Sequence, residues 1–351
     1  VRCYRTPWWL WMYAVFLLLI LAENPLVNAG FVESKLVVRQ RTARVFVSCQ
    51  CQPEDDDDTT STSTVHANPR RREILTILGV GATTLGISTA PSGAIENVSQ
   101  TMKIQGGGVM KQVTDPDTYS ALLYTPPSSS SNEPKKKLPL LVVLHGAGKN
   151  DEDIWTELAN PRGEHAGLIP SLLASGRAPP ELTDNFMVVA PYSFGKTSFY
   201  EEPRGKLLKF IDWICSQEAQ DMEVDRDRIF LFGFSDGATL GVELLTTLRF
   251  AGAVVAAYGF TGTLPPLAVE RLETVPIWVF HSADDVIFPV ACSDRLVASL
   301  KGSNIQNNVR FTRFDHDQEG FTGSVQGHST GITASRTPEI YKWMLSLPPK
   351  Q

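Results

Sequence analysis

Apolar and polar positions along the chain predict strands and helices in turn. Short apolar runs rich in β-branched and aromatic residues predict seven strands. These runs are residues 121–124, 140–144, 187–190, 229–232, 253–256, 277–280 and 309–314. Helical spacing of apolar residues occurs between and after them, as in residues 207–214, 292–300 and 337–345. Strands that alternate with helices predict an α/β fold with a mostly parallel central sheet and helices on both faces.

A run of glycines, Gly106-Gly107-Gly108, stands ahead of these strands. A phosphate-binding loop would continue into a Lys-Ser or Lys-Thr pair, and this run does not. We therefore expect a hairpin turn between leading antiparallel strands.

The first two N-terminal segments are typical of targeting sequences and linkers rather than of a folded core. Residues 1–30 resemble a signal peptide, because Arg2 and Arg5 precede an apolar run. Residues 31–69 begin with a basic, acid-poor, transit-like stretch and continue into an acidic, Ser/Thr-rich, low-complexity linker.

A third segment that resembles a targeting sequence covers residues 70–94. It opens with Arg70-Arg71-Arg72 before a weakly apolar stretch and resembles a twin-arginine export signal. Three such signals in series resemble the tripartite address of thylakoid-lumen proteins in secondary plastids, which predicts a plastid location. The alternative is one secretory signal and a secreted protein. Either way, residues 95–351 form the predicted α/β domain, with no stable membrane span.

Charge and cysteine usage exclude several classes of protein. The formal net charge is −6 and no basic stripe is present, which argues against binding to nucleic acid. Of the five cysteines, Cys215 and Cys292 lie in helical patterns and are expected to be buried, while the others precede residue 95. Their spacing fits neither a disulfide framework nor a zinc site, so we expect no metal and no cofactor.

The most informative motif is Gly233-Phe234-Ser235-Asp236-Gly237, which follows a predicted strand and precedes a predicted helix. This is the strand–turn–helix context that the G-x-S-x-G nucleophile elbow requires. The glycines permit a strained turn that exposes the Ser235 hydroxyl, and the helix directs its first amides toward a developing oxyanion.

In proteins built around this turn, an acid and then a histidine follow the serine along the chain. Asp284 and Asp285, just past a strand end, are the acid candidates, and Asp284 could instead cap the next helix. His316 and His328 are the candidate bases. We favour His328, because it lies on a loop before the last helix, whereas Asp residues flank His316 as in a solvated turn.

A second backbone donor is expected beside the Asp236 amide. The apolar strand 140–144 ends in His145-Gly146-Ala147-Gly148, and such an H-G-x-G turn can present backbone N–H groups to the site. Ala147 is the expected donor and Gly148 the next candidate.

Four segments together resemble the α/β-hydrolases. They are residues 141–148, residues 225–229 leading into the elbow, residues 276–285, and residues 327–328 with 338–343, and the resemblance spans about 102–347. The nearest group is the esterase set that contains phospholipase/carboxylesterases, predicted peptidases and polyhydroxyalkanoate-depolymerase-like enzymes. Residues 281–289 are similar to its H-G-x-x-D-x-x-x-P pattern, whose aspartate is the acid; this implies Asp285.

The sequence departs from that family in four places. Ser282 replaces a glycine, Ala238 replaces the second of two glycines after the elbow, Asp236 stands where Met or Gln is usual, and residues 318–326 resemble an insertion before Gly327. The resemblance implies a serine hydrolase that cleaves carboxylic esters, or thioesters, of a small-molecule or acyl substrate. The alternatives are a serine peptidase on the same fold and a catalytically silent binding protein.

Overall fold

The computed structural model describes residues 100–127, 137–216, 224–301 and 308–350, so the predictions for residues 1–94 lie outside the described residues. Within these ranges nine strands form one sheet in the order β1-β2-β3-β5-β4-β6-β7-β8-β9. The strands are β1 Thr101–Lys103, β2 Val109–Thr114, β3 Ser120–Thr125, β4 Leu138–Leu144, β5 Met187–Pro191, β6 Val224–Phe234, β7 Gly252–Ala256, β8 Ile277–Ser282 and β9 Val309–Phe314.

The sheet has an antiparallel edge and a parallel body. Three pairs of neighbours are antiparallel: β1 with β2, β2 with β3, and β3 with β5. Five pairs are parallel: β5 with β4, β4 with β6, β6 with β7, β7 with β8, and β8 with β9. The turn between β1 and β2 contains Gly106 and Gly107, both at φ +98°, where a side chain would be strained. The predicted glycine hairpin is confirmed.

Eight α-helices are present in the described residues. They are α1 Ile169–Ala174, α2 Pro180–Thr183, α3 Arg204–Ser216, α4 Asp236–Leu245, α5 Pro266–Leu272, α6 Ala291–Lys301, α7 Thr330–Ser335 and α8 Pro338–Ser346. None of the helices in this part of the chain is long and apolar enough to span a bilayer.

The helices cover both faces of the sheet. Alternate residues of β4 and β6 enter opposite cores: Leu140 and Leu231 pack with α3, α4 and α6, while Leu141 and Phe230 pack with α1, α7 and α8. Burial on both faces explains why these strands are continuously apolar rather than alternating. The predicted α/β-hydrolase architecture, a mostly parallel sheet with helices on both faces, is confirmed.

This topology brings the predicted site residues to one edge of the sheet. β4, β6 and β8 are parallel, so the turns after Leu144, Phe234 and Ser282 leave the same edge. That edge, outside the carboxyl ends of the strands, is where open α/β sheets bind ligands.

Candidate active site

Ser235 lies on a strained turn between β6 and α4. Its backbone has φ +57° and ψ −123°, a conformation that L-residues rarely adopt and that persists where surrounding packing enforces it. The Ser235 N–H donates to Ala256 O of β7 at 3.0 Å, which ties the turn to the neighbouring strand. The strain fits the predicted elbow.

Two glycines make this turn sterically possible. A Cβ atom on Gly233 would lie 2.5 Å from Gly237 O and 2.7 Å from Ala238 Cα. A Cβ atom on Gly237 would collide with the carbonyl oxygens of Leu144 and His145. The second collision shows that α4 begins directly against the turn that follows β4.

Three side chains form an unbroken hydrogen-bonded series. Ser235 Oγ lies 2.9 Å from His328 Nε2, and His328 Nδ1 lies 2.8 Å from Asp285 Oδ2. A carboxylate only accepts, so Nδ1 carries the imidazole proton. In the neutral ring Nε2 therefore accepts from the Ser235 hydroxyl, which is the orientation of a general base.

The carboxylate of Asp285 is buried and fully hydrogen-bonded. Its Oδ1 accepts from the backbone N–H groups of Ile287 and Phe288 at 2.8 and 2.9 Å. Burial raises the pKa of Asp285, but the hydrogen bonds from His281 and His328 outweigh burial and hold the pKa well below its usual range. Asp285 is therefore ionised and can stabilise a positive charge on His328.

His281 is a contact of the acid that the sequence analysis did not identify. Its Nε2 lies 2.9 Å from Phe288 O and 3.2 Å from Asp285 Oδ2, and its Nδ1 lies 2.7 Å from Ser293 Oγ. A carbonyl only accepts, so Nε2 carries the proton and Nδ1 accepts from Ser293. The sequence feature that could have indicated this contact is the spacing of His281 and Asp285, which are four residues apart around the end of β8.

The competing candidates do not reach the serine. The His316 side chain is 85% exposed, and its Nδ1 lies 3.7 Å from Asp284 Oδ2. Asp284 accepts from Ser282 Oγ and from the Asp317 N–H, so it holds the loop after β8 rather than capping α6. The structure brings His328 and Asp285, and not His316 and Asp284, to Ser235.

The loop that carries His328 packs against the loop that carries Asp285. Gly327 has φ +74°, and a Cβ atom there would collide with the backbone of Asp284 and Asp285. The Val286 N–H donates to Gln326 O at 3.1 Å, which adds a direct link. A short helix, α7, directly follows His328; the sequence analysis predicted only the later helix, α8.

Aromatic rings enclose the imidazole. Phe234 lies 5.3 Å from His328 between ring centroids, and Phe288 meets it edge-on at 5.4 Å. The His328 side chain is 11% exposed. The imidazole is thus largely shielded from bulk water, which strengthens its electrostatic interaction with Asp285.

The turn after β4 lies over Ser235. A Cβ atom on Gly146 would lie 3.0 Å from Ser235 Cβ. The Gly148 N–H donates to Thr197 O at 2.9 Å, so this amide already has a partner. Within the described ranges the amides of Ala147 and Asp236 donate to no other backbone group, and they remain the candidate oxyanion donors.

The Asp236 side chain sits at the start of α4, half-buried. Burial raises the pKa of its carboxyl above the usual value, while a hydrogen bond from Ser198 and the nearby His328 act in the opposite direction. Its backbone amide is the first of α4 and is free of the helix's own hydrogen-bond ladder.

Most of the apolar residues between 150 and 198 are core residues. Trp155, Leu168 and Phe186 are buried, and only Phe194, at 64% exposure, is available to an acyl pocket or lid. The first three side chains pack in the core between α1, α8 and the sheet.

The two cysteines of the described chain are unpaired. Cys292 is buried in α6 as predicted, whereas Cys215 in α3 is only half-buried. No three His, Cys, Asp or Glu side chains of the described ranges are grouped so that they could hold one metal ion.

Comparison with known protein families finds a match over part of the chain. Residues 198–322 match the phospholipase/carboxylesterase family, a stretch that contains Ser235 and Asp285 and ends before His328. A search of curated proteins finds no significant match.

Solved structures resemble this chain to different degrees, and the thermostable esterase shares its fold. A thermostable esterase is 25% identical with a TM-score of 0.53; the match covers 70% of this chain and 64% of the esterase, so the chain spans less than two thirds of that protein's length. A fluorophosphonate-binding serine hydrolase of Staphylococcus aureus is 13% identical with a TM-score of 0.46, over 69% of this chain and 99% of that one.

Proposed function

We propose that this chain, an α/β-hydrolase with a phospholipase/carboxylesterase match over residues 198–322, hydrolyses carboxylic esters with Ser235 as its nucleophile. The observation that carries the proposal is the hydrogen-bonded series Ser235–His328–Asp285, with contacts of 2.9 and 2.8 Å. Its order along the chain and its position at the carboxyl edge of the sheet add support.

In the first half-reaction the Ser235 oxygen attacks the acyl carbonyl carbon while His328 Nε2 takes the hydroxyl proton. The carbonyl oxygen becomes an oxyanion, and the amides of Ala147 and Asp236 are its proposed donors. When the intermediate collapses, the bond to the leaving alcohol breaks and the alcohol receives the proton from His328. Asp285 stabilises the imidazolium throughout and stays ionised.

In the second half-reaction water resolves the acyl-enzyme. His328 takes a proton from the water as its oxygen bonds to the acyl carbon. Collapse of the second tetrahedral intermediate then returns the proton to Ser235 and releases the carboxylic acid. Thioesters and peptides can react by the same steps, so the ester is proposed on the family match rather than on the triad geometry.

A panel of p-nitrophenyl esters of increasing chain length, with wild-type protein and Ser235→Ala, tests the proposal. We expect turnover by the wild type and a loss of several orders of magnitude in the variant, because the nucleophile is gone. Ser335→Ala is a matched control, since it also removes a buried hydroxyl, here bonded to Gly331 O. Equal turnover by Ser235→Ala and wild type would reject the serine mechanism.

We also propose that residues 1–94 direct the protein to a plastid, into the thylakoid lumen. Support comes from the sequence alone: an apolar run after Arg5, a basic acid-poor stretch, and the arginine triplet at residues 70–72. Secretion is the alternative, and it predicts glycosylation of the acceptor sequence Asn97-Val98-Ser99.

A further inference from the structure

A buried polar network lies behind the turn that follows β4. It consists of His145, Asn150, His165 and Ser193, all of which are at most 5% exposed. These residues come from the segments after the neighbouring strands β4 and β5. The steps of the proposed mechanism do not use any of them directly.

Asn150 is the centre of this network. Its Nδ2 lies 2.8 Å from Lys196 O, 3.1 Å from Ser193 Oγ and 3.2 Å from Thr197 O, and its Oδ1 lies 2.9 Å from His165 Nε2. Because backbone carbonyls only accept, the amide nitrogen must face them and Oδ1 must face His165. His165 therefore donates from Nε2.

The backbone of Asn150 reinforces the same link. It has φ +51°, a left-handed conformation that Asn tolerates better than most residues, and its carbonyl accepts from the Gly195 N–H at 2.7 Å. Thr197 O accepts from both the Asn150 side chain and the Gly148 N–H. The segment 193–197 is thus a fixed support for the turn that holds Gly148.

His145 has a defined tautomer in this network. The Ser193 N–H points to His145 Nε2 at 3.3 Å, so Nε2 accepts and Nδ1 carries the proton. Nδ1 then donates to Gly146 O at 2.7 Å. Burial and the adjacent His165 imidazole hold the pKa of His145 well below its usual value, so the ring is neutral and keeps this pattern.

The bond from His145 to Gly146 O determines where the next amide points. In a trans peptide the carbonyl oxygen and the following N–H lie on opposite sides of the bond. A Gly146 carbonyl held by His145 therefore turns the Ala147 N–H to the other side. Gly146 itself lies against Ser235, so this peptide plane borders the reacting oxygen.

We infer that His145 and Asn150 are positioning residues that fix the direction of the Ala147 N–H, so that the oxyanion donor depends on the network behind it. The inference rests on the proposed function, because it assigns a role to the oxyanion site of that reaction. Neither side chain touches the substrate; each acts through the backbone of residues 146–148.

Two substitutions of His145 separate orientation from packing. Asn in place of His145 keeps an N–H donor near the position of Nδ1, whereas Gln moves its amide to the position of Nε2 and loses the donor to Gly146 O. We expect His145→Gln to lower kcat toward p-nitrophenyl butyrate by up to about 100-fold with little change in KM, since one misdirected oxyanion donor costs that order of magnitude. His145→Asn should restore most of the activity.

Affinity for a trifluoromethyl ketone gives a second readout. The ketone forms a tetrahedral oxyanion adduct with an active serine, so its affinity should fall in parallel with kcat in His145→Gln and recover in His145→Asn. Asn150→Asp should behave like His145→Gln, because a carboxylate would face the carbonyls of Lys196 and Thr197. Tyr124→Phe is the stability control: it removes the part-buried hydrogen bond that Tyr124, on β3, donates to Thr183 O at the end of α2, away from the carboxyl edge.

The outcomes are distinct. The inference is overturned if His145→Gln keeps the kcat and the ketone affinity of the wild type. It is also overturned if the Asn and Gln variants lose kcat and ketone affinity equally while their unfolding midpoints shift no more than that of Tyr124→Phe. If the wild type turns over none of the esters and forms no adduct, the proposed function fails. Crystal structures of the two variants then decide the inference: a Gly146 carbonyl that rotates only in His145→Gln supports it, and an unchanged carbonyl overturns it.

Discussion

Replacing Asp285 by Asn removes the negative charge that faces His328 in the series Ser235–His328–Asp285, while it keeps the shape of the side chain. In the wild type both oxygens only accept: Oδ2 from His328 and His281, and Oδ1 from the backbone N–H groups of Ile287 and Phe288. An amide NH2 group would face N–H donors whichever way it turned.

The expected loss of activity follows from the tautomer of His328. With the Asn oxygen toward the backbone, its NH2 faces His328 Nδ1, which must then accept, and the imidazole proton moves to Nε2. That nitrogen faces Ser235 Oγ and can no longer take its proton. Loss of the correct tautomer lowers kcat about 10,000-fold in serine hydrolases of this kind, or about 5.4 kcal/mol at 1.36 kcal/mol per tenfold.

Stability should respond to pH in a defined direction. The pKa of Asp285 is depressed in the folded protein, so ionised Asp285 contributes stability above its unfolded pKa of about 4, and this contribution is lost as pH falls toward the folded pKa. The wild type should therefore exceed Asp285→Asn in stability most clearly at neutral pH, and the gap should narrow below about pH 4.

The assay is kcat on a p-nitrophenyl ester at pH 7, with urea unfolding at pH 7 and in the acid range. Asp284→Asn is the matched control for activity, because Asp284 is the adjacent carboxylate and bonds Ser282 and Asp317 instead of His328. A kcat for Asp285→Asn within tenfold of the wild type would refute the assigned role.

Three further results are expected. His328→Ala should lose as much activity as removal of the serine, because triad members fail together, whereas His316→Ala should be mild; an inactive His316→Ala would show that the base is misassigned. Gly327→Ala should lower both kcat and the unfolding midpoint, because its Cβ would push apart the two loops that hold the acid and the base, and unchanged kinetics would contradict that packing. A reporter fused after residue 94 should enter a plastid, and Arg71→Lys with Arg72→Lys should stop it before the last membrane; a reporter in the medium despite both changes would reject the plastid address.

The elbow could be predicted because its determinants are local. Gly233, Ser235 and Gly237 lie within five residues, and the strand before them and the helix after them are visible in the apolar pattern. The same is true of the parallel sheet, since buried strands between helices leave few other arrangements.

The choice of base depended on information that is not local. His316 and His328 both follow β9, and residues 317–327 separate them. What brings His328 inward is the contact between Gly327 and the backbone of residues 284–285, which no spacing rule expresses. A general preference for the last loop favoured His328, and the geometry of the loop agrees with it.

The network around Asn150 was beyond sequence reasoning for a similar reason. Asn150 and Ser193 are 43 residues apart along the chain, and each sits in a segment of ordinary loop composition. Their meeting follows from the parallel pairing of β4 and β5, which places the segments after the two strands side by side. Helix α7 was missed because six residues give too little periodicity to predict a helix.

Covalent capture of the nucleophile tests the central claim most directly. We predict that a fluorophosphonate probe adds one phosphonyl group to the wild-type protein and that tandem mass spectrometry places it on Ser235, while Ser235→Ala gains no mass. The series Ser235–His328–Asp285 supplies the reason, because it activates this hydroxyl among the serines of the described chain. An unlabelled wild type, or a label on another residue that persists in Ser235→Ala, would contradict the account.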